Sequence, residues 1–166
     1  MKTLTFSATI EASDTGRRVI SGKIVPFNGE VGMTSAGPVI FERGSIQIPA
    51  VSKIKLLAQH DKSASGVIGR MQNYQEANDG IYASFKVSAS HDGQNYLIKA
   101  SEGILDGLSV GVEVIASKER KDGTLVVTAA KLQEVSLVES PAFDNARVLD
   151  VAAQAMDRED VAEESL

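Results

Sequence analysis

The chain contains no cysteine and no tryptophan. The first absence excludes a cysteine nucleophile, a thiolate metal site and a disulfide framework. Histidine is nearly missing too, with only His60 and His91 present. A His-rich metal centre is therefore not expected, and the reading calls for no metal and no cofactor. Aromatic residues are few, five Phe and three Tyr, a poor supply for lining a large acyl pocket. No apolar run approaches the roughly 18 residues that a membrane span needs. Polar residues in the opening MKTLTFSATIEAS come too early for a signal-peptide core. The expectation is a soluble cytoplasmic protein with no membrane partner.

What is present fits one globular domain. The chain has 166 residues, 43% of them hydrophobic and 23% charged, an ordinary balance for a packed core. The net charge is −5, and its distribution is uneven. Residues 150–166 (DVAAQAMDREDVAEESL) carry six acidic groups and one Arg, whereas residues 1–149 balance to zero. The body thus lacks the positive excess that draws a protein to nucleic acid, and no nucleic-acid partner is expected. The organisation read from this is a domain over 1–149 followed by an acidic, Ala-rich tail or linker over 150–166, helical or disordered.

Strand signals dominate the body. Residues 3–10 and 18–27 alternate apolar and polar side chains in part, the second run ending at Pro26. Residues 28–45, with Gly29, Gly32, Gly37, Gly44 and Pro38, read as a long loop with a short helical turn near Glu42–Ile46. Residues 53–59 form a strand running into His60, followed by the turn HDKSASG. Runs 67–74 and 81–88 make a hairpin about Asn78-Asp79-Gly80. Residues 92–102 are the internal helix, with Gly103 past its end. Runs 107–117 and 124–138 make a second hairpin, turning at Lys121-Asp122-Gly123, and Pro141 closes the last strand. The fold class is mainly β: a barrel of six to seven strands with one or more peripheral helices.

Three segments place polar groups on apolar strands. His60 ends one strand and is the side chain best suited to move a proton near neutrality. Ser109 lies in Gly107-Leu108-Ser109-Val110-Gly111, where the missing side chains open space beside a hydroxyl. Its G-x-S-x-G spacing also occurs in α/β-hydrolase nucleophile elbows, but that elbow needs a strand-to-helix turn, and here VGVEVIAS continues as strand. Glu134 sits in LQEVSLV. On period two, Leu132, Glu134, Ser136 and Val138 share one face, an odd place for an acid. A serine needs a base, and the base needs a group to orient it. His60, Ser109 and Glu134 supply one of each.

At these residues the sequence resembles the prohead serine proteases of tailed bacteriophages. The likeness is carried by SGKIVPFN, FERGSI, LLAQHDKSASGVIGRM, DGLSVGVEV and LQEVSLVESPAFDNARV, in order, over residues 3 to about 149. The resemblance implies a herpesvirus protease-like β-barrel. It implies a serine endopeptidase with His60 as general base and Ser109 as nucleophile. Glu134 is the third member on spacing, with Asp61 as runner-up and His91 demoted to a helix start. Backbone N–H groups of Ala142 and Phe143 would form the oxyanion hole, helped by Arg147 or Arg70. The implied substrates are the major capsid protein, its scaffold segment and the protease itself, inside an assembling procapsid in the host cytoplasm. Homo-oligomerisation stays open. The acidic tail would be a self-cleavage remnant or a linker to a scaffold-like extension. The rival reading is a catalytically silent β-barrel capsid-assembly or scaffold protein.

Overall fold

The protein is described by a computed structural model covering residues 17–27, 29–34, 37–139, 141, 143, 146 and 148–152. The strand expected over 3–10 and the segment 153–166 lie outside the described residues. Within them the chain forms β1 (Val19–Pro26), β2 (Gly32–Thr34), β3 (Gly37–Phe41), β4 (Ile46–Gln47), β5 (Lys55–Ala58), β6 (Val67–Ala77), β7 (Gly80–Val87), α1 (His91–Ser101), β8 (Gly107–Glu119), β9 (Leu125–Val138) and β10 (Val148–Ala152). The fold is mainly β with a single described helix, and the sheet curls into a half-barrel.

There are more strands than the six or seven expected. The glycine-rich stretch read as a long loop instead holds the β2–β3 hairpin, and the short β4 follows directly after it. Glycine and proline lower strand propensity, but pairing with a long neighbour overrides that here. Val39, Ile40 and Phe41 lie beside Leu125, Val126 and Val127 in parallel register. Glu42–Ser45 is a turn closed by Ser45 N–H donating to the Glu42 carbonyl at 3.0 Å, not a helix. At the other end, Asp150–Ala152, the first residues of the acidic stretch, belong to β10 and pair with β1.

The 14-residue β9 organises the sheet. Along one edge it takes β3, β4 and β5 in parallel, one after another, and along the other it takes β8 in antiparallel register. From β5 the sheet continues through β6, β7 and β1 to β10. Ile20, Ile24, Phe27, Leu56, Ile68, Met71, Phe85, Leu108, Val135 and Leu137 fill the inner face. Each such side chain contributes about 1.5–3 kcal/mol when fully buried. Helix α1 adds Leu97 and Ala100 to this core. Its start is capped by Ser90 Oγ, which accepts from Gly93 N–H at 3.1 Å, and Gly103 follows its end at φ 77°.

The β6–β7 turn is tighter than the six residues left between runs 67–74 and 81–88. Ala77 pairs with Gly80, leaving Asn78 and Asp79 as the loop. Asp79 is held there by the Tyr82 hydroxyl at 2.8 Å and the Lys23 ammonium at 3.3 Å.

β9 does not keep a strict period of two. The β8–β9 register shifts between Gly111 and Val112, whose partners are Glu134 and Leu132. Gln133 is thus the extra residue of a β-bulge. The bulge puts Leu132, 1% exposed, on the core side with Val135 and Leu137, so it does not share a face with Glu134. The acid that looked misplaced among apolar neighbours stands on the outer face.

Candidate active site

Register brings the site together. Across β8 and β9, Ser109 stands opposite Ser136 and Gly111 opposite Glu134. Directly opposed residues of neighbouring strands project to one side. Ser109, Ser136 and Glu134 therefore share the outer face, while Leu108, Val135 and Leu137 alternate inward to the core.

His60 reaches that face by a turn. β5 ends at Ala58, and Gln59 and His60 both adopt positive φ, 54° and 59°. Asp61 N–H closes the turn on the Ala58 carbonyl at 2.9 Å. Two left-handed central residues are the pattern of a type I′ turn, which favours Asn and Gly. Such backbone costs about 1–3 kcal/mol per residue and persists only where its surroundings hold it. Here Gln59 N–H donates to the Leu137 carbonyl at 3.0 Å, and His60 N–H donates to Ser136 Oγ at 3.0 Å. Both anchors come from β9, so the strained turn is locked onto the strand that carries Glu134.

His60 Nδ1 lies 2.8 Å from Glu134 Oε2 and 3.1 Å from Ser136 Oγ. Ser136 Oγ donates to Glu134 Oε1 at 2.9 Å. The protons can be assigned from this. An ionised carboxylate only accepts, and a serine has one proton to give. With that proton on Glu134, Nδ1 must carry the ring hydrogen, and Nε2 of the neutral imidazole is left with a free lone pair. The Glu134 side chain is 12% exposed and that of His60 44%. The acid is sheltered and the ring is open.

His60 and Ser109 line one cleft of about 700 Å³, whose apolar walls include Phe41, Val112, Leu125 and Phe143. Phe143 is 3% exposed and packs on Phe41 at a ring separation of 5.8 Å. Gly32 lies under this ring, and a Cβ there would come within 2.6 Å of it. No hydrogen bond joins Ser109 Oγ to His60 among the described residues. Such contacts are often loose before substrate binds.

The glycines flanking Ser109 have a use besides opening space in the cleft, which Gly111 lines with Ser109. A Cβ on Gly107 would come within 2.6 Å of the Pro141 ring, and one on Gly111 would overlap the Glu134 carboxylate. Both leave room for the protein's own site residues. Ser136, fully buried at 0% exposure, was not singled out. Its only sequence signal was a hydroxyl two residues from Glu134 within an apolar strand.

The other candidates sit elsewhere. Asp61 Oδ1 accepts from Ser63 N–H at 2.9 Å. That backbone hydrogen bond holds its carboxyl below the usual range, and the acid is committed to its own turn. His91 opens α1 and is not among the cleft residues. Arg70 lines a separate hollow with Lys55 and Lys86, away from the oxyanion role suggested for it. Ala142 and Arg147 lie outside the described residues. Among the described residues no cluster of three metal-ligating side chains occurs, and no helix is long and apolar enough to cross a membrane.

A family model described as caudovirus prohead serine protease matches residues 6–161. The chain is 28% identical over 153 residues to the probable capsid maturation protease of Lactococcus phage p2, covering 90% of this chain and 82% of the relative. The protein of the same description from Lactococcus phage SK1 matches to the same extent.

Proposed function

Because the chain belongs to the caudovirus prohead serine protease family, we propose that it is a serine endopeptidase that cuts capsid and scaffold polypeptides, and itself, during prohead maturation. The observation that carries this reading is the 2.8 Å pairing of His60 Nδ1 with Glu134, on a cleft that Ser109 also lines. The names of the two phage relatives support the choice of substrate.

In this reading His60 Nε2 takes the Ser109 proton as Oγ attacks a peptide carbonyl. Glu134 stabilises the imidazolium that forms and keeps the ring from rotating. The protonated ring then gives its proton to the leaving amine. Water, activated by the same imidazole, hydrolyses the acyl-enzyme. Ser136 ties the Glu134 carboxylate to the His60 backbone, so acid and base move as one unit. The tetrahedral oxyanion falls to the backbone N–H groups of Ala142 and Phe143. A single donor of this kind is worth about 3–4 kcal/mol in a well-studied protease.

The test is co-expression with the phage's capsid protein. The parent chain should shorten the capsid protein, and Ser109→Ala should leave it whole while melting normally. Loss of a nucleophile of this type costs about 10⁶-fold in rate. Equal cleavage by both chains overturns the reading.

A further inference from the structure

A row of cations crosses the outer face of the sheet. Lys55 on β5 stands opposite Arg70 on β6, and Arg70 stands opposite Lys86 on β7. Together with Arg18 they line a hollow of about 330 Å³. Lys55 is shared with an adjoining hollow of about 620 Å³, which Lys53 and Lys62 also line, three cations against the one acid Glu134. Like charges placed directly opposite one another destabilise a sheet. The charge is concentrated here although residues 1–149 carry no net charge.

The same register leads to the acidic end of the chain. Lys86 is opposite Val19 on β1, and Val19 is opposite Ala152, the last residue of β10. The described part of β10 thus ends on the line along which the cations stand. The next 14 residues hold Asp157, Glu159, Asp160, Glu163 and Glu164 against one Arg158.

We propose that the acidic segment 153–166 docks in cis on the cationic row formed by Lys55 and Arg70 and on the neighbouring Lys53 and Lys62. The distances allow it. Strands lie about 4.8 Å apart, so Arg70 is about 14 Å and Lys55 about 19 Å from the line of β10. An extended chain advances about 3.4 Å per residue, which puts Asp157 within about 17 Å of Ala152 and Glu159 within about 24 Å. A short tether keeps the segment at a high effective concentration over the patch. Two observations favour this occupant over an acidic partner in trans: the described end of β10 is in register with the cations, and the segment carries five acidic groups against one Arg, most of the chain's net charge of −5. Lys55 is also the β5 residue opposite Glu134, so an occupant here sits beside the cleft.

The experiment needs no activity. The full chain, its length verified by intact mass, is prepared as an equal mixture of light and ¹⁵N-labelled protein. A carbodiimide then couples carboxylates to lysines at zero length. The proposal expects unmixed, intrachain links from residues 157–164 to Lys53, Lys55 and Lys62, lost in high salt. Links spread evenly over Lys99, Lys118, Lys121 and Lys131, or found only between labelled and unlabelled chains, overturn it. A second arm uses a synthetic peptide of residues 153–166. It should bind a full-length variant with those five carboxylates changed to amides and fail to bind the parent. Equal binding to both means the surface is open to acidic ligands in trans, which also overturns docking in cis.

Discussion

Gly111 and Glu134 stand directly opposite each other on β8 and β9, and a side chain at the first would overlap the carboxylate of the second. The glycine two residues after Ser109 therefore sets where the acid sits, and through it where His60 points.

Gly111→Ala should displace Glu134 from His60. We expect kcat/KM to fall by about 10²-fold, short of the roughly 10⁴-fold seen when a triad base takes the wrong tautomer. Melting should stay cooperative, since the crowded atoms are the end of a flexible side chain. Peptide hydrolysis by purified variant and parent measures the difference, and an unchanged rate removes Glu134 from the account.

Ser136→Ala deletes the acceptor of His60 N–H and the donor to Glu134 Oε1. The residue is fully buried, and leaving the His60 N–H unpaired costs about 1–3 kcal/mol. Urea unfolding should show that loss, and NMR of the His60 ring nitrogens should show the Nδ1–H form less strongly preferred. A variant with parental stability and tautomer contradicts the proton assignment.

These two residues mark how far the sequence could be read. His60 stood out as one of only two histidines, and Ser109 and Glu134 for their placement, a hydroxyl flanked by glycines and an acid within an apolar strand. Ser136 was not, because a serine within a strand has no signature until its neighbours are known. The bulge at Gln133 was hidden for a related reason: period-two counting assumes an unbroken ladder, and only pairing with β8 shows the extra residue. Likewise Gln59 and His60 do not look like a left-handed turn, since that geometry is imposed by hydrogen bonds to β9. The β2–β3 hairpin was obscured by glycines whose strand pairing comes from β9. By contrast, both long hairpins and α1 follow from local turn and capping signals, at Asn78-Asp79, Gly123 and Gly103.

Phe143→Ala should open the cleft wall. Removing a buried phenylalanine costs about 3–5 kcal/mol, visible as a lowered melting temperature. Loss of the Phe41 contact should also raise KM for peptide substrates. Parental stability would contradict the packing of Phe143 over Gly32 and against Phe41.

Asp79 links stability to pH. Its burial opposes the charged form, but hydrogen bonds from Tyr82 and Lys23 together outweigh that and hold its pKa below the usual value. The folded value is the lower one. The contribution is therefore present above about pH 4 and is lost as pH falls through the folded value. The Asp79 side chain is 48% exposed, so its pairing is worth under about 1 kcal/mol. Asp79→Asn should melt lower than the parent at neutral pH, with the gap closing in acid. A gap that widens in acid reverses the assigned sign.

The nucleophile can be read out directly with a fluorophosphonate, which phosphonylates a base-activated serine with loss of fluoride. Mass mapping of the labelled full chain should place a single adduct on Ser109, and His60→Ala should abolish it. An adduct on another residue, or equal labelling of the His60→Ala chain, would contradict catalysis by this serine and imidazole.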